Sequence, residues 1–237
     1  MPLNPLFPHA QSITAVVLAG GQGTRMGGVD KGLQHFQGQA MAHRALVRVA
    51  PWVGTVAVNA NRNETAYQAF CDAVWPDPDL SAWGLSGDEV SAGPLAGFLT
   101  ALQHVQTPYL LTVPCDCPFF PLDLVLRLSQ AMGQSGADLV MPRAAQGHED
   151  RQRLAAQPVF ALMRVQVLQS LEIFMAQGGR KVLDWSLSQN HAFVDFDQAH
   201  DDVHAFSNIN TWSELIHWNT ASPPAPRSPS LQCTPST

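Results

Sequence analysis

Six glycines, one arginine and one lysine fall within fifteen residues, Leu18-Ala19-Gly20-Gly21-Gln22-Gly23-Thr24-Arg25-Met26-Gly27-Gly28-Val29-Asp30-Lys31-Gly32. Glycine has no Cβ, so backbone N–H groups can turn inward and approach an anion closely, while Arg25 and Lys31 bring charge that neutralises phosphate. The segment departs from a P-loop, because Lys31 is followed by Gly32 and not by a hydroxyl residue for magnesium. It departs from a dinucleotide fingerprint as well. The third glycine position after Gly21-x-Gly23 holds Met26, and Asn59 stands where a ribose-binding acid belongs. A second group is Asp116, set in the rigid turn Pro114-Cys115-Asp116-Cys117-Pro118. Magnesium bound to a nucleotide keeps several waters and takes only one or two protein carboxylates, so a single well-placed aspartate suffices; the same aspartate could instead cap a helix. His200 and His204 share the i, i+4 spacing of a zinc pair, but no glutamate follows the first, and their polar surroundings read as a solvated loop.

The elements that must position these groups are legible in the hydrophobic pattern. Residues 14–18 (TAVVL), 55–59 (TVAVN) and 109–113 (YLLTV) are short apolar runs rich in β-branched residues, as in strands buried on both faces. Strands are also expected over 72–75, 138–142, 158–162 and 191–196. Helical spacing covers 41–49, 64–70, 94–104, 121–132, 165–176, 181–188 and 211–218. This alternation predicts an α/β fold: one domain, a Rossmann-like three-layer sandwich around a mostly parallel sheet. The glycine-rich segment and Asp116 then lie at carboxyl ends of strands, where open α/β sheets receive ligands. Residues 76–93 form a long loop without periodicity, and 143–153, with Arg143, His148, Arg151 and Arg153, a basic lip over the sheet. The expected organisation is a flexible start over 1–12, one domain over 13–220 and a Pro/Ser-rich disordered tail over 221–237.

Composition narrows the classes. Thirteen basic against nineteen acidic residues give a net charge of −6, the wrong sign for a nucleic-acid surface, so any phosphate site is local. No apolar run approaches the roughly 20 residues of a membrane span, and the first twelve residues lack the basic start of a leader. Cys71, Cys115, Cys117 and Cys233 form no C-x-x-C pair, which fits a reducing cytoplasm and neither zinc nor disulfides. Lys31 and Lys181 are the two lysines of the chain, both in glycine-containing stretches.

The stretch VVLAGGQGTRMGGVDKG resembles the signature of the molybdenum cofactor guanylyltransferases, a MobA-like branch of the nucleotidyltransferases. NANRNETAY (59–67), AGPLAG (92–97), PCDCPFFP (114–121) and NINTWSEL (208–215) resemble that family in the same order, so the likeness spans about residues 13–217. The resemblance implies a nucleotide-diphospho-sugar-transferase-like fold. It implies GMP transfer from GTP to molybdenum-loaded molybdopterin, with magnesium as cofactor and pyrophosphate released, forming molybdopterin guanine dinucleotide. Residue by residue it implies that Leu18, Ala19, Gly20 and Gly21 meet the nucleotide, Lys31 its phosphates, Asn59 and Asp77 the nucleoside end, and Asp116 both nucleotide and metal. Arg25, Lys31 and Asp116 would be the catalytic groups, and Arg180, Lys181, Asn208 and Asn210 would receive the pterin. Its implied partners are cofactor-biosynthesis proteins or acceptor molybdoenzymes with their chaperones; composition adds the expectation of a cytoplasmic protein that binds neither nucleic acid nor membrane, and a monomer is expected. Two features depart from the family pattern: the connection 78–92 is longer and holds a second acid, Asp79, and Cys117 stands where a small polar residue is common and reads as packing. A sugar-phosphate nucleotidyltransferase, or an adaptor that carries nucleotide or cofactor without turnover, are the alternative readings.

Overall fold

The computed structural model describes residues 8–21, 23–79, 81, 93–145 and 153–220. The expected tail, most of the terminal segment, most of the 78–92 connection, and His148 and Arg151 lie outside the described residues. In chain order the strands are β1 (Ile13–Leu18), β2 (His35–Phe36), β3 (Gln39–Ala40), β4 (Thr55–Asn59), β5 (Val74–Trp75), β6 (Tyr109–Pro114), β7 (Leu139–Ala145), β8 (Leu154–Ala156), β9 (Ala161–Arg164) and β10 (His191–Phe196). The helices are α1 (Met41–Val49), α2 (Glu64–Gln68), α3 (Pro94–His104), α4 (Leu124–Ser135), α5 (Leu168–Ala176), α6 (Val182–Ser188) and α7 (Trp212–Thr220).

The main sheet has the order β10-β7-β9-β6-β1-β4-β5, with β8 paired to β7. The β1–β4, β1–β6, β4–β5 and β7–β10 pairs are parallel, and β9 runs against both its neighbours. The mostly parallel sheet is as expected. Along β1, Ile13, Ala15 and Val17 pack with Ala42, Leu46 and Val49 of α1 and with Leu128 and Met132 of α4. Val16 points the other way, into the apolar layer that holds Leu95, Leu99 and Leu102 of α3, Leu171 of α5 and Trp185 of α6. Helices therefore cover both faces, and that double burial is why β1 reads as an unbroken apolar run.

Some details differ from the pattern-based expectation. The strand expected over 158–162 begins only at Ala161, because Pro158 has no N–H for a ladder and the Phe160 N–H turns back to the Gln157 carbonyl at 2.9 Å. The helix expected over 165–176 starts with a 3-10 turn, Val165–Val167, before α5. The β2–β3 hairpin has no counterpart in the hydrophobic pattern; its turn residues Gln37 and Gly38 have φ of 50° and 80°, the sign two-residue hairpin turns require. The first residues of the expected basic lip continue β7, and Arg143 is held by Asp195 of β10 through Nε–Oδ1 and Nη2–Oδ2 bonds of 2.6 and 2.8 Å. Among the described residues no helix is long and apolar enough to cross a membrane.

Candidate nucleotide site

Strand register builds the site. Leu18 lies level with Asn59 of β4 and Pro114 of β6, and Asn59 lies level with Trp75 of β5. The ladder runs one step further through Ala19 N to Asn59 O (2.8 Å), Cys115 N to Leu18 O (3.1 Å) and Ala60 N to Trp75 O (3.2 Å). Four chain segments thus leave the sheet side by side, and between them opens a cleft of about 870 Å3. Leu18, Ala19, Gly20, Gly21, Arg25, Lys31, Asn59, Asp77, Asp116, Asn208 and Asn210 all line it.

At its centre the Lys31 ammonium donates to Asp116 Oδ2 at 2.7 Å and to Asn210 Oδ1 at 2.8 Å. Both charged side chains are largely buried, 15% and 19% exposed, so their attraction is less screened than at a surface. Lys31 opens a single 3-10 turn, Lys31–Leu33, at the end of the glycine-rich loop. Within that loop Gly23 has φ of 63°, and a Cβ there would stand 2.1 Å from the Val29 carbonyl, so only glycine fits. Arg25 is exposed on the intervening turn, Thr24–Met26, and among the described residues no hydrogen bond or ion pair holds it. Asn210 is delivered by the chain before α7. Ile209 N donates to the Asp116 carbonyl at 2.8 Å, and Glu214 Oε2 accepts from Asn210 N and Thr211 N at 2.6 and 3.0 Å. Thr211 Oγ1 in turn accepts from Glu214 N at 3.2 Å, a capping box that fixes where α7 starts.

A second polar group closes the other end. Asn59 Nδ2 donates to Asp77 Oδ1 (2.8 Å) and to the Trp75 carbonyl (3.0 Å). Asn61 Nδ2 donates to Asp77 Oδ2 (2.7 Å), and Asp77 N returns a bond to Asn61 Oδ1 (2.7 Å). Asn59 is only 2% exposed, so its amide orients Asp77 from beneath and leaves the carboxylate facing the cleft. Asp79 accepts from Ser81 N and Oγ, each at 2.9 Å, and is not on the lining.

Residues 15–192 match the family model described as the MobA-like NTP transferase domain. This chain belongs to that family. It is 52% identical over 205 residues to a molybdenum cofactor guanylyltransferase of an Acidovorax species, covering 86% of this chain and 93% of that protein. To the molybdenum cofactor guanylyltransferase of Albidiferax ferrireducens it is 50% identical over 209 residues, covering 87% and 95%. The solved structure of molybdopterin-guanine dinucleotide biosynthesis protein A from Archaeoglobus fulgidus shares the fold, with a TM-score of 0.64 at 21% identity and coverage of 87% and 96%. As a member of this family the chain is a nucleotidyltransferase.

Within that family frame the remaining residues sort clearly. Asn208 lines the cleft and accepts a hydrogen bond from the Cys117 thiol at 2.6 Å. Burial, and then the Asp116 charge, push the Cys115 and Cys117 thiols up from their ordinary range, so both stay protonated and pack. Arg180 and Lys181 sit on the turn between α5 and α6, outside the cleft lining, with Arg180 Nη1 donating to the Met175 and Gly179 carbonyls at 3.0 and 2.7 Å. His200 and His204 fall on turns and not on one helical face, and no group of three or more His, Cys, Asp or Glu could hold a metal among the described residues. A cation at Asp116 would therefore complete its shell with substrate oxygens and water, which is how magnesium travels with nucleotides. Sequence reasoning missed Asn61, Arg62 and the segment Gln157-Pro158-Val159-Phe160, all on the lining. The adjacent polar residues Asn61 and Arg62 just past a strand end were the available signal for the first two.

Proposed function

We propose that this chain transfers GMP from GTP to molybdenum-loaded molybdopterin, releasing pyrophosphate. The observation that carries the reading is the Lys31 ammonium, bonded at once to Asp116 and to Asn210, where the glycine-rich loop, the β6 acid and the segment before α7 converge. In this reading the triphosphate lies along the loop, with backbone N–H groups, Arg25 and Lys31 stabilising charge on the departing pyrophosphate. Asp77, oriented by Asn59 and Asn61, faces the nucleoside. Asn208 and Asn210 face the acceptor, and Arg180 and Lys181 lie outside the cleft lining. An oxygen of the acceptor's terminal phosphate attacks the α-phosphorus, a new P–O bond forms, and the α–β bridging oxygen leaves with pyrophosphate. That attacking phosphate is already largely ionised near neutral pH, so the cleft needs no strong general base. Asp116 is the protein ligand for magnesium, which when bound supplies Lewis-acid neutralisation of the phosphates. The three described cysteines are buried free thiols, which supports a reducing cytoplasm as the compartment.

Base choice tests the reading. Guanine offers N1–H and N2–H donors where adenine does not, and the carboxylate of Asp77, which lines the cleft, is an acceptor for them. With molybdate-loaded molybdopterin and magnesium, pyrophosphate release from GTP should exceed that from ATP by about a hundredfold or more. Equal release from both would overturn the base assignment, and transfer to a sugar 1-phosphate instead would move the chain to a different acceptor class.

A further inference from the structure

Apart from two single turns, the described residues of the loop after β1 have no regular structure of their own, yet the loop must keep Lys31 aimed at Asp116. Support comes from the chain that links β4 to α2. Asn61 Nδ2 donates to the Gly20 carbonyl at 3.3 Å. Arg62 reaches both ends of the loop: Nη2 donates to the carbonyls of Gly21 (3.2 Å) and Val29 (3.4 Å), and Nη1 to that of Gly28 (2.8 Å). Asn63, which turns the corner into α2 at φ of 52°, donates through Nδ2 to Asp30 Oδ2 at 3.0 Å. Tyr67 Oη donates to Asp30 Oδ1 at 2.5 Å. The chain from Asn61 to Tyr67 therefore runs as a splint beside the loop, and Arg62 is the member that joins its two ends.

We infer that Arg62 is a positioning residue for the nucleotide. It locks the ends of the glycine-rich loop together, and so keeps the loop's N–H groups and Lys31 arranged for a triphosphate before one arrives. The inference rests on the proposed nucleotide reading of the cleft. A planar guanidinium presents fixed donors in a fork that can span several carbonyls, whereas a lysine ammonium is a single point at the end of a flexible stem. Ordering the loop in advance removes an entropy cost from binding and leaves the chemical step alone, so its loss falls on KM and not on kcat.

Trypsin supplies the test, because Arg25 is exposed inside the loop and the bond after it is cut faster when the loop opens. The parent, Arg62→Ala and Arg62→Lys are compared by release of the peptide ending at Arg25, with and without GTP and magnesium, and by KM and kcat for GTP. Arg62 is itself exposed, so its truncation leaves the core intact and the melting temperature close to that of the parent. GTP should slow the cut in the parent. Arg62→Ala should be cut about fivefold faster without nucleotide, with KM raised about tenfold and kcat within about threefold, and Arg62→Lys should keep most of both defects. A parent that GTP does not protect would overturn the nucleotide reading and this inference with it. Given protection in the parent, an unchanged cutting rate in Arg62→Ala overturns this inference alone, whether or not KM rises. Faster cutting with an unchanged KM, or full recovery of both quantities in Arg62→Lys, overturns it equally.

Discussion

Lys31 and Asp116 hold each other at 2.7 Å, and in the proposed reading each is thereby kept where a triphosphate and its cation need it. The pair has a cost, since both groups are largely removed from water, and it is offset by their mutual attraction and by the Asn210 amide on the same ammonium. Asp116→Asn removes the charge and keeps the shape, leaving an amide oxygen that is a weaker ligand for a hard cation. Turnover should fall about a hundredfold or more, and the magnesium concentration for half-maximal rate should rise. Lys31 retains Asn210, but its largely buried ammonium loses its counter-charge, so stability should fall by about 2 kcal/mol. A magnesium titration that superimposes on that of the parent would remove Asp116 from the metal assignment.

Helix α3 shows how an element is fitted to the site rather than to its own propensity. Gly97 lies in its interior, where alanine would favour the helix by roughly 1 kcal/mol. A Cβ at Gly97 would stand 2.6 Å from Asn59 Oδ1 and 2.9 Å from Leu18 Cδ2, and Asn59 is buried with nowhere to retreat. Overpacking of this kind costs about 1–3 kcal/mol, so the clash outweighs the propensity gain. Gly97→Ala should lower the melting temperature and, by pushing Asn59 off Asp77, raise KM for GTP; a rise in melting temperature with unchanged KM would show that the approach is not tight. The same scale explains what the sequence revealed. β1, β4 and β6 were legible because burial leaves short, largely apolar runs, and their level ends placed the glycine-rich loop, Asn59 and Asp116 together. β8 was not, since Leu154-Ala155-Ala156 has no strand signal of its own and exists through pairing with β7. Asn61 and Arg62 stand as a visible polar pair past a strand end, but the partners that give them a role are mostly backbone atoms of the loop 33 to 41 residues away, and no local pattern encodes that pairing.

Across the whole molecule, two apolar layers close over the sheet, and the groups they bury set how the fold responds to alkali. Cys71, Cys115 and Cys117 are buried thiols, and Tyr67 is a fully buried phenol whose hydroxyl holds Asp30. Burial comes first among the causes that push all four upward, joined at Tyr67 by its bond to Asp30 and at Cys115 and Cys117 by the Asp116 charge. In the unfolded chain a thiol ionises near pH 8.5 and a phenol near pH 10. Above those values the native state therefore binds more protons than the unfolded one, and stability falls as pH rises; below about pH 8 these groups are protonated in both states and contribute no slope. The melting temperature should accordingly be flat in these groups from neutrality to about pH 8 and decline between about pH 8.5 and 10.5. Replacing Cys115 by Ala and Cys117 by Ser removes two of the four titrations, while the serine hydroxyl keeps a donor for Asn208. The double variant should start less stable at neutral pH and lose stability less steeply with alkali, and a decline parallel to that of the parent would mean that the Cys115 and Cys117 thiols ionise as readily in the fold as outside it.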